Sequence, residues 1–479
     1  MIRGWSLGFP RQNPHNFRMN TIVFSLALLL GPAETARPNL IIVHVDDLRY
    51  DTLGYLGNPV VQTPNLDKLA RKGTSFTNSF VTTSICGVSR ATLLTGQWQR
   101  RHKCAGFNQN LNDDQWKRTY PEVLRQTGYR TGFIGKIGIA DKADQKPMWE
   151  KRWDFYRGLP GQGGDEFIDS KDPQKRHKTQ IFGDQALEFV SAKDTKPFVL
   201  QISFNAVHAR DGKPREFTPD PRDEELYKDT AMPVPPLANE EAYGLLPKFV
   251  QDSEARKRWK PRYSTPEMAQ ATFRDYYRLV TGVDREVGRI VEELQKRYLA
   301  KNTVLVFTSD NGFALGDRGL ADKWFMYEES IRVPLLIADL REKDASRCRV
   351  ESIVLNADIA PTLLDLAGAK IPKEMQGQSL VPFLKRYIPM DWRQGFFYEH
   401  HAGMKNIPPS EGVRSERFKY IRWLDPTPEG IKDGHARQEQ LFDLDSDPLE
   451  KKDISADPKY AQILDQSRKV WQYQRKDLE

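Results

Sequence analysis

The chain has 479 residues, a formal net charge of +7, 39% hydrophobic and 29% charged residues. That balance excludes a disordered or fibrous protein and describes a soluble globular one, long enough for about two to three domains of roughly 150 residues. The modest positive excess favours anionic ligands. No helix-turn-helix, RNP-type or zinc-finger pattern supports a nucleic-acid partner, and three cysteines, Cys86, Cys104 and Cys348, are too few for a disulfide framework.

In chain order, the apolar run 21–30 (TIVFSLALLL) has the length of a signal-peptide core and is too short to span a bilayer. Basic residues precede it, and Gly31, Ala33 and Ala36 follow. Residues 1–36 are expected to be a signal peptide, which predicts export, to the periplasm or the medium if the source is bacterial. A buried N-terminal strand is the alternative. No later stretch is apolar for long enough to insert stably in a membrane. The run 39–45 (NLIIVHV) reads as a strand ending in Asp46 and Asp47. Leu66, Leu69 and Ala70 read as a helix with Gly73 as its C-cap, and 91–95 followed by Gly96 as another. Strands follow at 131–134 before Lys136 and at 198–204 before His208. Residues 209–270 hold no period and read as a long insertion. Within it the basic stretch 254–262 (EARKRWKPR) is expected to be a solvated face, or else a rim that meets an anionic chain. Helical spacing returns from Tyr276 to Leu294. Further strands are expected at 304–307, before Ser309, Asp310 and Asn311, and at 333–337. A helix over 360–366 starts with Pro361 and stops at Gly368. Residues after about Lys385 form a smaller unit with short strands such as 417–423.

Strands alternating with helices argue an α/β fold: a large mixed, mainly parallel sheet flanked by helices, with a smaller C-terminal α+β subdomain. In such sheets ligands sit beyond the carboxyl ends of the strands. Asp46–Asp47, Lys136, His208 and Asp310–Asn311 all stand there, so four separated segments aim polar groups at one edge. Cys86 lies near a helix N-terminus, where backbone N–H groups and the dipole favour anions. Arg90 adds a planar cationic fork suited to a tetrahedral oxyanion. A thiol in that place is expected to have a lowered pKa; the alternative is a buried structural cysteine. A cysteine-phosphatase loop needs Arg six positions after Cys, where this chain has Thr92, and no zinc spacing surrounds Cys86.

The segment 84–96 (SICGVSRATLLTG) resembles the sulfatase signature C-x-(P/A)-S-R-x-x-L-x-T-G, matching at Cys86, Ser89, Arg90, Leu93, Thr95 and Gly96 and departing at Val88. The resemblance covers most of 37–385 and reaches the C-terminal part. Asp46–Asp47 and Ser309–Asp310–Asn311–Gly312 are similar to the family's two metal-binding segments. Gly135–Lys136 is similar to its Gly-Lys pair, His208 to a site histidine, Lys323 with 327–334 (YEESIRVP) to a later signature, and 441–450 (LFDLDSDPLE) to the closing segment. Two positions where relatives commonly carry His hold Gly138 and Arg318.

The resemblance implies an alkaline-phosphatase-like sulfatase fold with a catalytic domain at 37–385 and a subdomain at 386–479. It implies that Cys86 is oxidised to formylglycine by a formylglycine-generating enzyme, and that Cys86, Arg90, Lys136, His208 and Lys323 are catalytic. Asp46, Asp47, Cys86, Asp310 and Asn311 would then hold a metal. Those carboxylates and the amide suit Ca²⁺, with Mg²⁺ as the other hard cation. Read singly, Asp-Asp after a strand is often a solvated strand end, and Asp-Asn-Gly is a turn signal. His102, His400 and His401 are weaker substrate-pocket candidates. The activity implied is hydrolysis of sulfate esters on sulfated carbohydrate. The alternatives are a phosphodiesterase or phosphonate ester hydrolase of the same superfamily and a non-catalytic binder of sulfated glycans.

Overall fold

Asn39–Val45 is buried along its whole length. It pairs in parallel with Phe198–Ser203 on one side and Thr303–Ser309 on the other, and such a strand must be apolar on both faces. Arg130–Lys136 and Phe155–Leu159 continue the sheet in parallel beyond Phe198–Ser203. On the opposite side Leu335–Asp339 runs antiparallel between Thr303–Ser309 and Thr74–Phe76, and Cys348–Val350 forms the edge. The computed structural model describes residues 37–479 except 141–142, 161–166, 170, 343–346 and 402–405, so the expected signal segment 1–36 lies outside the described residues.

The two-residue period of the central strands sorts their side chains into two cores. Ile41, Val43 and Val45, with Leu200, Ile202, Leu305 and Phe307, face the helices Lys178–Val190 and Pro266–Lys296. Leu40, Ile42, Val199, Val304 and Val306 face Ala91, Leu93 and Leu94 of the helix Cys86–Thr95 and Leu363 and Leu364 of the helix Ile359–Leu366. The expected α/β architecture with a mainly parallel sheet is therefore the one observed.

Several local expectations are corrected. Residues 209–270, although they hold no apolar period, contain helices at Glu240–Gly244, Lys248–Gln251 and Glu254–Tyr263, and the long helix already starts at Pro266. Helical spacing was hidden there because the buried face of Glu254–Tyr263 is made by Ala255, Arg262 and Tyr263 rather than by an apolar row. Gly73 is not a cap. The helix Pro64–Ala70 ends on Arg71 in right-handed conformation, and Gly73 serves a close approach, because a Cβ there would lie 2.9 Å from the carbonyl oxygen of Ile337. The strand expected at 333–337 begins at Leu335, since the Val333 N–H is already taken by the Ser79 carbonyl at 2.9 Å.

The C-terminal subdomain is an antiparallel sheet of Gly395–His400, Ser410–Ser415, Phe418–Leu424 and Ala436–Asp443. The helix Ala461–Asp477 packs on it through Leu464 and Trp471. Among the described residues no helix is long and apolar enough to cross a membrane.

Candidate active site

The carboxyl ends of the strands Asn39–Val45, Arg130–Lys136, Phe198–Ser203 and Thr303–Ser309 meet the start of the helix Cys86–Thr95. Cys86 is that helix's first residue. Ile85 before it is extended and offers no side-chain cap, so the first N–H groups of the helix are left for other partners. The helix is longer than the 91–95 expected from sequence, because Ser89 and Arg90 are also buried and held. Ser89 accepts a hydrogen bond from the Asn356 amide at 2.8 Å, and Arg90 reaches across to the Asp310 carboxylate.

Three acids and three bases interlock around the Cys86 thiol. The sulfur donates to Asp46 Oδ1 at 3.3 Å, and Lys323 Nζ donates to the sulfur at 3.1 Å. Lys323 also pairs with Asp47, and Lys136 Nζ with Asp46 Oδ2 at 2.5 Å. Arg90 donates to Asp310 Oδ2 from Nε at 2.8 Å and to the Lys136 carbonyl from Nη1 at 2.7 Å. The Asp47 N–H donates to Asp310 Oδ1 at 3.1 Å, and the Asn311 amide donates to Asp47 Oδ1 at 2.5 Å. His208 Nε2 stands 3.7 Å from Asp47 Oδ2, while its Nδ1 bonds the Ala209 carbonyl at 2.5 Å. All of these residues are buried. The structure therefore brings Asp46, Asp47, Cys86, Arg90, Lys136, His208, Asp310, Asn311 and Lys323 into one cluster.

The cluster's electrostatics follow from burial and near neighbours. Burial, reinforced by Asp46, raises the Cys86 thiol well above its ordinary value, with Lys136 and Lys323 pulling the other way. The lowered pKa expected at a helix N-terminus is thus overturned: desolvation and an adjacent carboxylate outweigh the dipole, and the group is a protonated donor. Burial and Asp46 also raise Asp310 to about 7. Burial first, then Lys323, lowers His208 to about 3, so the imidazole is neutral.

The donor set suits a hard cation. Asp46, Asp47, Cys86 and Asp310 each bring one ligand atom to within 4.8 Å of the others. Asp47 Oδ2 and Asn311 Oδ1 are buried and accept no hydrogen bond, although a desolvated oxygen is costly unless something meets it. Several buried carboxylates converging in this way, with the unmet Asn311 oxygen beside them, suit a divalent cation of the oxygen-seeking kind.

The weaker candidates lie elsewhere. His102 anchors the turn after the Cys86 helix: its Nε2 bonds Thr92 Oγ1 at 3.2 Å and its Nδ1 accepts the Cys104 N–H at 3.0 Å. Burial lowers it to about 3. His401 pairs with Glu411 at 3.0 Å, in a separate group with Glu399 and Arg100, and His400 is buried beside it. Arg318 is held by Glu329 at 2.7 Å and the Leu449 carbonyl at 2.8 Å, so it anchors the closing segment instead of reaching Cys86.

A sulfatase family model matches residues 38–369. The chain belongs to the sulfatase family. It is a sulfuric ester hydrolase with the alkaline-phosphatase-like fold of that family. A second model, for the C-terminal part of N-sulphoglucosamine sulphohydrolase, matches residues 316–477. Among curated relatives, an N-acetylglucosamine-6-O-sulfatase of Bacteroides thetaiotaomicron is 30% identical, over 96% of this chain and 92% of the relative. Among solved structures, a protein in complex with its substrate D-glucosamine-2-N,6-O-disulfate is 26% identical. It superposes with a TM-score of 0.74, over 92% of this chain and 98% of that one. The phosphonate monoester hydrolase of Agrobacterium radiobacter also has a TM-score of 0.74, at 23% identity, over 92% of this chain and 96% of its own, and shares the fold.

Sequence reading of this sulfatase missed the ring of groups just outside the cluster. Asp322, beside Lys323, is bound by Arg258 and Arg262 from the helix Glu254–Tyr263. The Tyr276 hydroxyl donates to the Asp47 carbonyl at 2.8 Å and accepts the Arg49 N–H at 3.0 Å. The two arginines stand four apart, on one face of that helix, but nothing in a basic run marks that face as the inward one.

Proposed function

We propose that this sulfatase releases sulfate from sulfated carbohydrate, with an amino sugar 6-O-sulfate as the first candidate, using Cys86 converted to formylglycine and a Ca²⁺ ion held by Asp46, Asp47, Asp310, Asn311 and the residue at 86. The observation that carries this reading is the enclosure of one thiol by the Asp46 and Asp47 carboxylates and the Lys323 ammonium, at 3.3, 3.9 and 3.1 Å. The two relatives described above, one a 6-O-sulfatase and one bound to a 6-O-sulfated glucosamine, support the substrate class.

The formylglycine side chain supplies an aldehyde hydrate as nucleophile, and the bound cation supplies Lewis-acid polarisation and positive charge. The remaining work belongs to the chain's own residues. Arg90, Lys136 and Lys323 present cationic N–H donors where the sulfuryl oxygens gather charge, and a site already assembled needs no reorganisation to do so. Asp310 and the Lys136 carbonyl fix the plane of the Arg90 guanidinium. Lys323 and His208 serve the departing alcohol oxygen together, with the charged Lys323 ammonium as the proton source for general acid catalysis and the neutral His208 imidazole beside it. Burial of the cluster excludes water and strengthens each of these interactions.

The reading extends to the ends of the chain and to its maturation: 1–36 acts as an export signal, 37–385 as the catalytic domain and 386–479 as the C-terminal subdomain. A formylglycine-generating enzyme is the partner that converts Cys86. Cys86→Ala is expected to lower sulfate release from N-acetylglucosamine 6-sulfate to background, and mass spectrometry of protein from its native host to find the Cys86 peptide lighter than its thiol form. Ordinary turnover by Cys86→Ala, or a free thiol throughout, overturns the proposal. A matched phosphate monoester and phosphonate ester in the same assay are expected to be turned over more slowly than the sulfate.

A further inference from the structure

Two groups assigned above to the departing alcohol, His208 and Lys323, stand on loops rather than on sheet strands. Lys323 lies between Asp322 at φ 70° and Trp324 at φ 86°. Left-handed backbone is costly for residues that carry a Cβ, and it persists only where the surroundings over-determine it. The surroundings here are two arginines of one helix. Arg262 gives Nη1 to Asp322 and Nη2 to Asp211 Oδ1 at 2.6 Å, and its Nε bonds Glu216. Arg258 gives Nη1 to Asp322 Oδ2 at 2.6 Å and to Asp211 Oδ2 at 2.7 Å. Asp211 and Glu216 belong to the loop that leaves His208, and Asp322 precedes Lys323. Every guanidinium nitrogen of Arg262 is therefore taken by a carboxylate from one of the two loops.

That arrangement is not needed to dock the helix. Tyr263 stacks on Phe273, Thr272 bonds the Arg262 carbonyl at 2.9 Å, and Arg256 bonds the Gly319 carbonyl at 3.0 Å. Buried ion pairs add little net stability compared with apolar packing, but they do fix the geometry of the groups they join. We propose that Arg262, assisted by Arg258, is a positioning residue that holds the His208 loop and the Lys323 segment at the separation required to protonate the departing alcohol. The inference rests on the general-acid role given to His208 and Lys323 above. It assigns a purpose to the helix Glu254–Tyr263: it spans the leaving-group side of the site and sets two catalytic side chains by their neighbours.

The test uses the mature enzyme, its Arg262→Gln, Arg262→Lys and Asp211→Asn variants, and three esters: 4-nitrophenyl sulfate, phenyl sulfate and N-acetylglucosamine 6-sulfate. A nitrophenolate leaves without a proton, whereas phenol and sugar alcohols need one increasingly. Loss of positioning is expected to lower kcat on phenyl sulfate and the sugar by about tenfold to a hundredfold, part of what general acid catalysis supplies. The loss on 4-nitrophenyl sulfate is expected to be about tenfold smaller than on the sugar, since only the Lys323 hold on the sulfuryl oxygens is common to all three esters, with Arg262→Lys recovering part of the loss. Asp211→Asn removes one tie to the His208 loop while leaving Arg262 on Asp322, and is expected to show the same leaving-group dependence more weakly. If Arg262→Gln does not fold, Asp211→Asn carries the test. Equal losses on all esters by the folded variants would mean a merely structural tie and overturn the inference. A native enzyme that hydrolyses none of the three overturns the sulfatase mechanism on which it rests, a result distinct from parallel losses.

Discussion

Gly138 stands where many sulfatases place a histidine, and its surroundings show why this chain does not. Its φ is +75°, and a Cβ there would lie 2.5 Å from Arg90 Cδ and 3.2 Å from Arg90 Nε. Arg90 cannot give way without leaving Asp310 and the Lys136 carbonyl. Gly138→Ala is therefore expected to cost about 1–3 kcal/mol through the left-handed backbone and the clash together. It should also lower kcat/KM by more than the folded fraction falls, because the guanidinium proposed to meet the sulfuryl group is displaced. Denaturant unfolding beside steady-state kinetics checks both. At this scale the sequence was informative wherever a residue type and its spacing carry the chemistry. Cys86 with Arg90 four residues on, Asp46 beside Asp47, and Asp310 beside Asn311 could be picked out before any coordinates, and the structure gathers them. Arg262 could not be picked out. Its role depends on carboxylates 51 and 60 residues away, and a basic run reads the same whether its guanidinium groups face solvent or acids of two neighbouring loops.

Elements support one another by lending caps and covers. The helix Pro64–Ala70 has no side-chain cap of its own at Thr63. Its first N–H groups are met instead by Asp284 of the long helix, which accepts the Asn65 N–H at 3.2 Å and the Leu66 N–H at 2.7 Å. Burial raises the Asp284 carboxyl to about 6, and its three N–H partners on Asn65 and Leu66 work against that shift. Asp284→Ala leaves those donors buried without a partner and is expected to destabilise the protein by about 1–3 kcal/mol, measured by urea unfolding. Such borrowed caps explain why element existence was readable and element ends were not. The long helix announced itself by its apolar spacing from Tyr276 to Leu294, yet it begins ten residues earlier at Pro266, capped by the Thr265 hydroxyl. The preceding helix escaped notice because arginines take apolar places on its inner face.

At the scale of the molecule, the C-terminal subdomain is bound to the catalytic layer through Arg100, which follows the Cys86 helix by a single turn. Arg100 pairs with Glu399 at 3.0 Å and Glu411 at 2.9 Å from two strands of the small sheet, and donates to the Arg475 carbonyl of the last helix at 2.9 Å. Trp471 donates to the same Glu411 at 2.8 Å and fills the space between helix and sheet. Trp471→Ala is expected to cost about 3–5 kcal/mol and to lower the melting temperature, read by calorimetry, with activity falling as the seat of Arg100 loosens. The sequence marked a separate C-terminal unit but gave no sign of this bolt, since its members lie hundreds of residues apart. The same holds for the active cluster, where Asp47 and Lys323 meet across 276 residues of chain. Contacts so remote in sequence close late, after local helices and neighbouring strands have formed, because loop entropy must be overcome before they give any return. A chain paused partway through folding therefore holds an incomplete site. The cage of acids and bases around residue 86 closes only when the distant segments dock, so it is complete only at the end of folding.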